Sequence, residues 1–213
     1  MNEDPAHMTK RLKVLALNGT LKTSRSGKIS STGRMIDLLI AGFAKHDIAA
    51  ETIRLADHQI LPGVSADEGE GDAWPDIRKK IIAADILIAG TPVWMGQPSS
   101  VIKRALERMD AFLSEKDSEG RMPTYGKVAA VAVVGNEDGA HHVSAELFQA
   151  LNDVGFSIAP NAVSYWVGEA MSSTDFRDLD EIPDAVTGAA RMVVESTVHL
   201  AGLLATNPYP SVK

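Results

Sequence analysis

Between an apolar run ending at Asn18 and a helical pattern opening near Met35 lies NGTLKTSRSGKISSTGRM, whose residue types are those that hold anions. From Gly19 to Arg34 it carries Lys22, Arg25, Lys28 and Arg34 and no carboxylate, although the chain as a whole has 28 acidic against 21 basic residues and a net charge of −7. Spacing excludes two familiar phosphate loops. A Walker loop needs a glycine, four residues, then Gly-Lys-Ser/Thr, but counting back from Gly27 reaches Lys22, and Ile29 follows Lys28. Gly19, Gly27 and Gly33 stand too far apart for the G-x-G-x-x-G turn. What remains is a long polar connection into a helix that starts at Ser31 or Thr32, where a hydroxyl can cap free amides. An anion there would meet unpaired N–H groups, the positive helix end and several hydroxyls together. One small phosphate suits that arrangement better than a triphosphate. The same residues also read as a solvated connection with capping serines, so the choice rests on the rest of the chain.

Two further stretches carry unusual loop chemistry. In TPVWMGQPSS, Thr91 to Ser100, Pro92 and Gly96 fix the backbone while Val93, Trp94 and Met95 form an apolar step that a water-exposed connection has little reason to carry. A flat heteroaromatic ring could rest on that step with its edge toward backbone amides; alternatively, Trp94 and Met95 cap the core. In GNEDGAHH, Gly135 and Gly139 permit close backbone approach and Asn136 can donate hydrogen bonds. His141 and His142 are adjacent, hence about 100° apart on a helix. No carboxylate motif accompanies them, and no metal site is expected.

These loops need elements to hold them. Four apolar runs, KVLALNG, DILIAGT at 85–91, KVAAVAVVGN at 127–136 and the weaker FSIAP at 156–160, are short and continuous, as in strands covered on both faces. A fifth strand, IAAETIRLAD at 48–57, lies between the first two helices. Helical spacing groups Met35, Leu38, Leu39 and Phe43 on one face, and Ile102, Ala105, Leu106, Met109 and Leu113 on another. WPDIRKKIIAAD has Pro75 in its first turn, AHHVSAELFQALNDVG ends at Gly155, and a last helix runs from Pro183 to Ala205. Strict β-α alternation predicts one doubly wound α/β domain over residues 1–213, with a five-stranded parallel sheet in the order 2-1-3-4-5 and helices on both faces. In that order a ligand sits at the switch point between the first and third strands, where the three loops emerge.

Composition bounds the function. With 45% hydrophobic residues and no apolar run near the roughly 20 needed to span a bilayer, no membrane segment is expected. MNEDPAHMTKR lacks an apolar signal core, and residues 1–10 read as a disordered leader. Zero cysteines exclude disulfides and thiol chemistry and fit a reducing cytoplasm, the expected location. The acidic balance argues against nucleic acid as a partner. The acids of SADEGEGD, Ser65 to Asp72, read as a solvated loop.

With these residues in view, the chain resembles the NADPH-dependent FMN reductase family of the flavodoxin-like superfamily. That family's first loop resembles N-G-S-x-R followed by S-N-T; here Asn18, Gly19, Thr20 and Lys22 match the first part, and Ser31 and Thr32 the second. Its second loop is similar to GTPVWMGQPSSVIKRALER. The resemblance covers about residues 11–160. It implies a flavodoxin-like fold and an FMN site in which Thr20, Ser31, Thr32 and backbone amides hold the 5′-phosphate, with Lys22 offsetting its charge. Thr91, Pro92, Val93, Trp94, Met95 and Gly96 would cradle the ribityl chain and ring, joined by Gly135, Asn136, Glu137, Asp138 and Gly139. The implied activity is an FMN-dependent NAD(P)H oxidoreductase passing electrons to a quinone, flavin, azo dye or similar small-molecule acceptor. No dedicated catalytic residue is needed. Family members commonly form homo-oligomers, so a dimer or tetramer is expected. The alternative is a flavodoxin-like electron carrier that docks on protein partners. In the extra segment after the fifth strand, Tyr165 and Trp166 either cover a flavin or pin the last loop.

Overall fold

The computed structural model describes residues 11–169 and 172–213, and the expected leader at 1–10 lies outside them. Six strands and five α-helices alternate: β1 (Lys13–Asn18), α1 (Ser31–Ala44), β2 (Ala49–Arg54), α2 (Trp74–Ala83), β3 (Ile86–Trp94), β4 (Gln97–Pro98), α3 (Ser100–Met109), β5 (Val128–Gly135), α4 (Ala140–Asp153), β6 (Ser157–Val167) and α5 (Asp184–Thr206). The long strands pair in parallel in the order β2-β1-β3-β5-β6. This is the flavodoxin-like order 2-1-3-4-5 with one addition, the two-residue β4, which pairs antiparallel with β3.

The apolar runs are continuous because successive side chains of a strand enter different cores. From β1, Leu15 and Leu17 pack beneath α2, α3 and α4, with Ile77, Ile81, Ile102 and Leu147. Val14 and Ala16 face the other way, toward Met35, Leu39 and Phe43 of α1 and Val193 and Val194 of α5. Each β-to-α loop therefore leaves the sheet at its carboxyl edge. No helix among the described residues is long and apolar enough to cross a membrane.

Three expectations need correction. The α1 cap is Ser30, whose Oγ accepts the Gly33 N–H at 3.0 Å, so the helix begins one residue after the capping hydroxyl and leaves Ser31 and Thr32 uncommitted to capping. The last strand does not stop at Pro160. It runs to Val167, and its register with β5 jumps from Ile158 opposite Ala129 to Val163 opposite Val131. Pro160 cannot donate to the ladder, and it sits with Asn161, at φ 53°, inside that irregularity.

The third correction concerns the acidic loop. Asp72 is fully buried against Arg108, whose Nη2 donates to its Oδ2 at 2.7 Å. Arg108 also donates to the carbonyls of Ser65 and Leu61 and lies over the Trp74 ring at 5.7 Å. Asp72 accepts further N–H groups from Leu61, Glu68 and Trp74. Burial alone would raise its pKa, but Arg108 and the three amides outweigh it and hold the carboxyl below the usual carboxylate range.

Asp72→Asn leaves a buried guanidinium unpaired and should cost about 3–5 kcal/mol in urea unfolding at neutral pH. Because the folded pKa is depressed, the carboxylate's contribution is complete above the unfolded value near ~4 and declines as pH falls below it. The stability gap between wild type and variant should therefore narrow between pH 6 and pH 3. A gap independent of pH would contradict an ionised Asp72.

Candidate functional site

Where β1 and β3 part, a cleft of about 140 Å³ opens at the carboxyl edge. The chain leaving β1 is pressed against β3: the Gly19 N–H donates to the Gly90 carbonyl at 2.8 Å, and Ser99 Oγ donates to the Gly19 carbonyl at 2.5 Å. Only glycine fits, since a Cβ on residue 19 would lie 2.7 Å from the Gly90 oxygen. Asn18 Oδ1 then accepts the Thr20 N–H at 3.1 Å, and Thr20 Oγ1 the Lys22 N–H at 3.3 Å, curling the first loop around one end of the cleft.

That end gathers groups whose chemistry suits an anion. Thr20, Lys22, Ser31 and Thr32 all line it. The first amides of α1 have no intrahelical acceptor, and Ser30 takes only that of Gly33. Thr32 is 1% exposed, with its methyl toward Gly90; its hydroxyl has no hydrogen-bond partner among the described residues. Ser31 Oγ accepts the Arg177 N–H at 3.3 Å. The Lys22 ammonium is pushed below the usual lysine pKa, first by burial and then by Arg177. Of the four loop cations, Lys22 alone lines the cleft. Arg25 and Lys28 are solvent-exposed around a single helical turn tied down by the Ser24 N–H to Asp57 Oδ1 at 2.7 Å. Arg34 turns away to donate to the carbonyls of Phe176, Arg177 and Leu179.

The other end presents an apolar wall. Pro92, Val93 and Trp94 from β3 face Val134 and Gly135 at the end of β5 and Asn136 just after it. Trp94 is 50% exposed and Met95 89%, so neither caps the core. They belong to a tight turn into β4 whose central residues, Met95 and Gly96, have φ of 52° and 72°. Trp94 lines the cleft; Met95 projects from the hairpin tip outside the lining. Thr91 is buried, its hydroxyl donating to the Pro92 carbonyl and accepting the Ser99 N–H, which ties β3 to the start of α3. Gly96 and Gly139 meet back to back: a Cβ on Gly139 would lie 2.9 Å from Gly96 Cα. Glu137, Asp138 and Gly139 are not among the residues lining the cleft, and Asp138 Oδ1 accepts the Gly139 N–H at 2.7 Å.

The two histidines brace this region. His141 meets the Tyr165 ring edge-on at 5.1 Å, while His142 Nε2 lies 2.9 Å from Gln97 and 2.7 Å from Glu146. No group of three or more potential metal ligands converges among the described residues. Sequence reasoning missed the closing side of the cleft, formed by Leu21, Trp166, Asp175 and Phe176, apart from leaving Trp166 open. Trp166 packs on the buried Phe176 at 5.5 Å. Phe176 and Asp175 come from an irregular segment held in place by Arg34, so no periodicity marked them.

The family profile described as NADPH-dependent FMN reductase matches residues 12–170. The chain is 33% identical over 208 residues to the 8-demethyl-8-aminoriboflavin-5′-phosphate synthase of Streptomyces davaonensis, covering 93% of this chain and 80% of that protein. It is 34% identical over 171 residues to a protein named divalent metal cation transporter MntH from Mycobacterium bovis; the match takes in 78% of this chain and spans only 25% of that relative. Among solved structures, RosB with the bound intermediate 8-demethyl-8-formylriboflavin-5′-phosphate superposes with a TM-score of 0.83 at 33% identity, covering 93% of this chain and 82% of that one.

The turn at Met95 offers a test of the hairpin. A positive φ favours asparagine over methionine, so Met95→Asn should raise stability by about 0.5–1 kcal/mol. Urea unfolding of the flavin-free protein measures this, and a clear loss of stability would mean that the Met95 side chain packs against the fold.

Proposed function

The chain belongs to the NADPH-dependent FMN reductase family, and we propose that it binds FMN in the β1/β3 cleft and transfers electrons from NAD(P)H to a small acceptor such as a quinone, a flavin or an azo compound. The observation that carries this reading is the polarity of the cleft. One end gathers the Thr32 hydroxyl, the α1 amides and Lys22, and the other presents Trp94 beside Asn136. A single phosphate fits the first end, and the edge of a planar ring fits the second.

Bound FMN supplies hydride and single-electron chemistry, so the protein's work is placement. Thr20, Ser31 and Thr32 would hold the phosphate with the amides that open α1. Lys22 would balance its charge. Trp94 and the glycine-flattened backbone at Gly135 would position the ring, with Asn136 donating to its polar edge. No side chain is assigned a proton-transfer role. Family membership favours this enzyme over a flavin-bearing carrier that docks on proteins. The same proposal includes a homo-oligomer, supported by the exposed Leu21, Ile29 and Met95 on loops at the carboxyl edge.

A second reading rests on the Streptomyces relative, whose name describes a synthase of a modified flavin phosphate. In it, the same cleft holds riboflavin 5′-phosphate as a substrate. Incubation with FMN, an amino-group donor and an oxidant, followed by mass analysis of the released flavin, separates the two: a reductase returns FMN unchanged, a synthase returns a new mass.

Purified protein should release FMN, and NADPH or NADH under anaerobic conditions should bleach the bound flavin's absorbance; a colourless protein that takes up no FMN would sink the proposal. Thr32→Val keeps the methyl facing Gly90 and removes the hydroxyl. A hydrogen bond to a charged group contributes roughly 1.5–3 kcal/mol, so the variant should weaken FMN by about tenfold or more and barely change riboflavin. Equal weakening of both flavins would assign that hydroxyl to the fold instead. Trp94→Ala should leave apo stability nearly intact, unlike the roughly 3–5 kcal/mol lost on truncating a buried tryptophan, while lowering flavin affinity in the same titration.

A further inference from the structure

Lys22 stands where the family pattern resembled in the first loop carries an arginine, and an ammonium cannot make the two-pronged contact of a guanidinium with phosphate. A guanidinium stands just behind the cleft wall nearby, on a residue bonded to lining residues though not itself in the lining. Arg177, between β6 and α5, donates its backbone N–H to Ser31 Oγ at 3.3 Å and its Nη1 to the Ile29 carbonyl at 3.1 Å, both at the start of α1. Its Nη2 is paired with Asp175 Oδ2 at 2.8 Å, and its Nε lies 3.4 Å from Asp178. Asp175 itself lines the cleft beside Lys22, Ser31 and Thr32. A carboxylate thus occupies a position among donors suited to an anion, and the unpartnered Thr32 hydroxyl lines the same space.

We propose that Arg177 is a ligand of the flavin phosphate, and that Asp175 holds its guanidinium at the cleft until the phosphate displaces the carboxylate. This rests on the FMN-binding reading above. The exchange favours phosphate on charge: a monoester carries about −1.5 to −2 at neutral pH against −1 for the carboxylate. Three positive features would then share it, Lys22, Arg177 and the end of α1. Without an anion, Arg177 and Lys22 repel one another, which lowers the Lys22 pKa after burial has done so, while Asp175 opposes both. Arg34 keeps the exchange local by fastening the backbone on both sides of Arg177. The Arg177 side chain is 26% exposed, and with Nε, Nη1 and Nη2 each bonded once, two of its five guanidinium N–H groups carry no protein partner among the described residues.

The test titrates flavin-free protein with FMN and with riboflavin, following flavin fluorescence, for wild type, Arg177→Ala, Arg177→Lys and Asp175→Asn. Arg177→Ala should weaken FMN about tenfold or more and riboflavin less than about twofold, with Arg177→Lys recovering part of the loss. Asp175→Asn should tighten FMN without changing riboflavin. Loosening of the segment alone would weaken both flavins together, so the ratio of the two affinities reads the phosphate contact. A ratio unchanged by Arg177→Ala in a protein that binds FMN overturns the role of Arg177 and leaves the functional reading standing. A wild type that binds neither flavin overturns both.

Discussion

The cleft depends on how closely the chain leaving β1 approaches β3. Gly19 and Gly90 touch through their backbones at a distance no side chain at position 19 would allow, and Ser99 closes the contact from the start of α3. That one approach sets the curl of the first loop, the position of α1's free amides and the parting of the two strands. Were residue 19 any larger, the loop would lift from the sheet, and the hydroxyls of Thr20 and Thr32 would no longer face a common space. Backbone proximity, rather than any charged side chain, is what gathers hydroxyls and free amides at that end of the cleft.

Much of this was legible because the signals were local. Continuous apolar runs gave both-face burial, and alternation with helical spacing gave the order of the sheet and the edge at which the loops emerge. TPVWMGQPSS announced itself because Trp94 and Met95 had no business in a polar loop, and the hairpin with its two positive φ values explains their exposure. Cap position slipped by one residue, because Ser30, Ser31 and Thr32 are equivalent to any rule of composition and only the Gly33 amide distinguishes them. The closing side of the cleft was illegible for a different reason. Asp175 and Phe176 reach it through hydrogen bonds from Arg34, more than 140 residues away in sequence, and no pattern within either segment encodes that pairing.

Arginine is used here in two ways that a charge count conflates. Arg34 and Arg108 are struts: each spreads its donors over carbonyls of an irregular segment and gives that segment a fixed path. Arg34 adds to the local charge of the first loop, but its donors serve the fold. The cations facing the cleft are consequently fewer than the loop's composition implies, and their identity depends on which segments the struts hold in place.

The buried pairing of Asp72 with Arg108 also changes what the acidic loop presents to its surroundings. Its glycines and carboxylates are the composition of a loop tip that proteases nick, because such tips open readily to an extended form. Here, opening would pull a carboxylate away from a guanidinium enclosed with the Trp74 ring and strip the carbonyls of Leu61 and Ser65 of their donors. Cleavage after Glu68 or Glu70 therefore requires a costly local unfolding at the segment whose sequence most resembles a weak point.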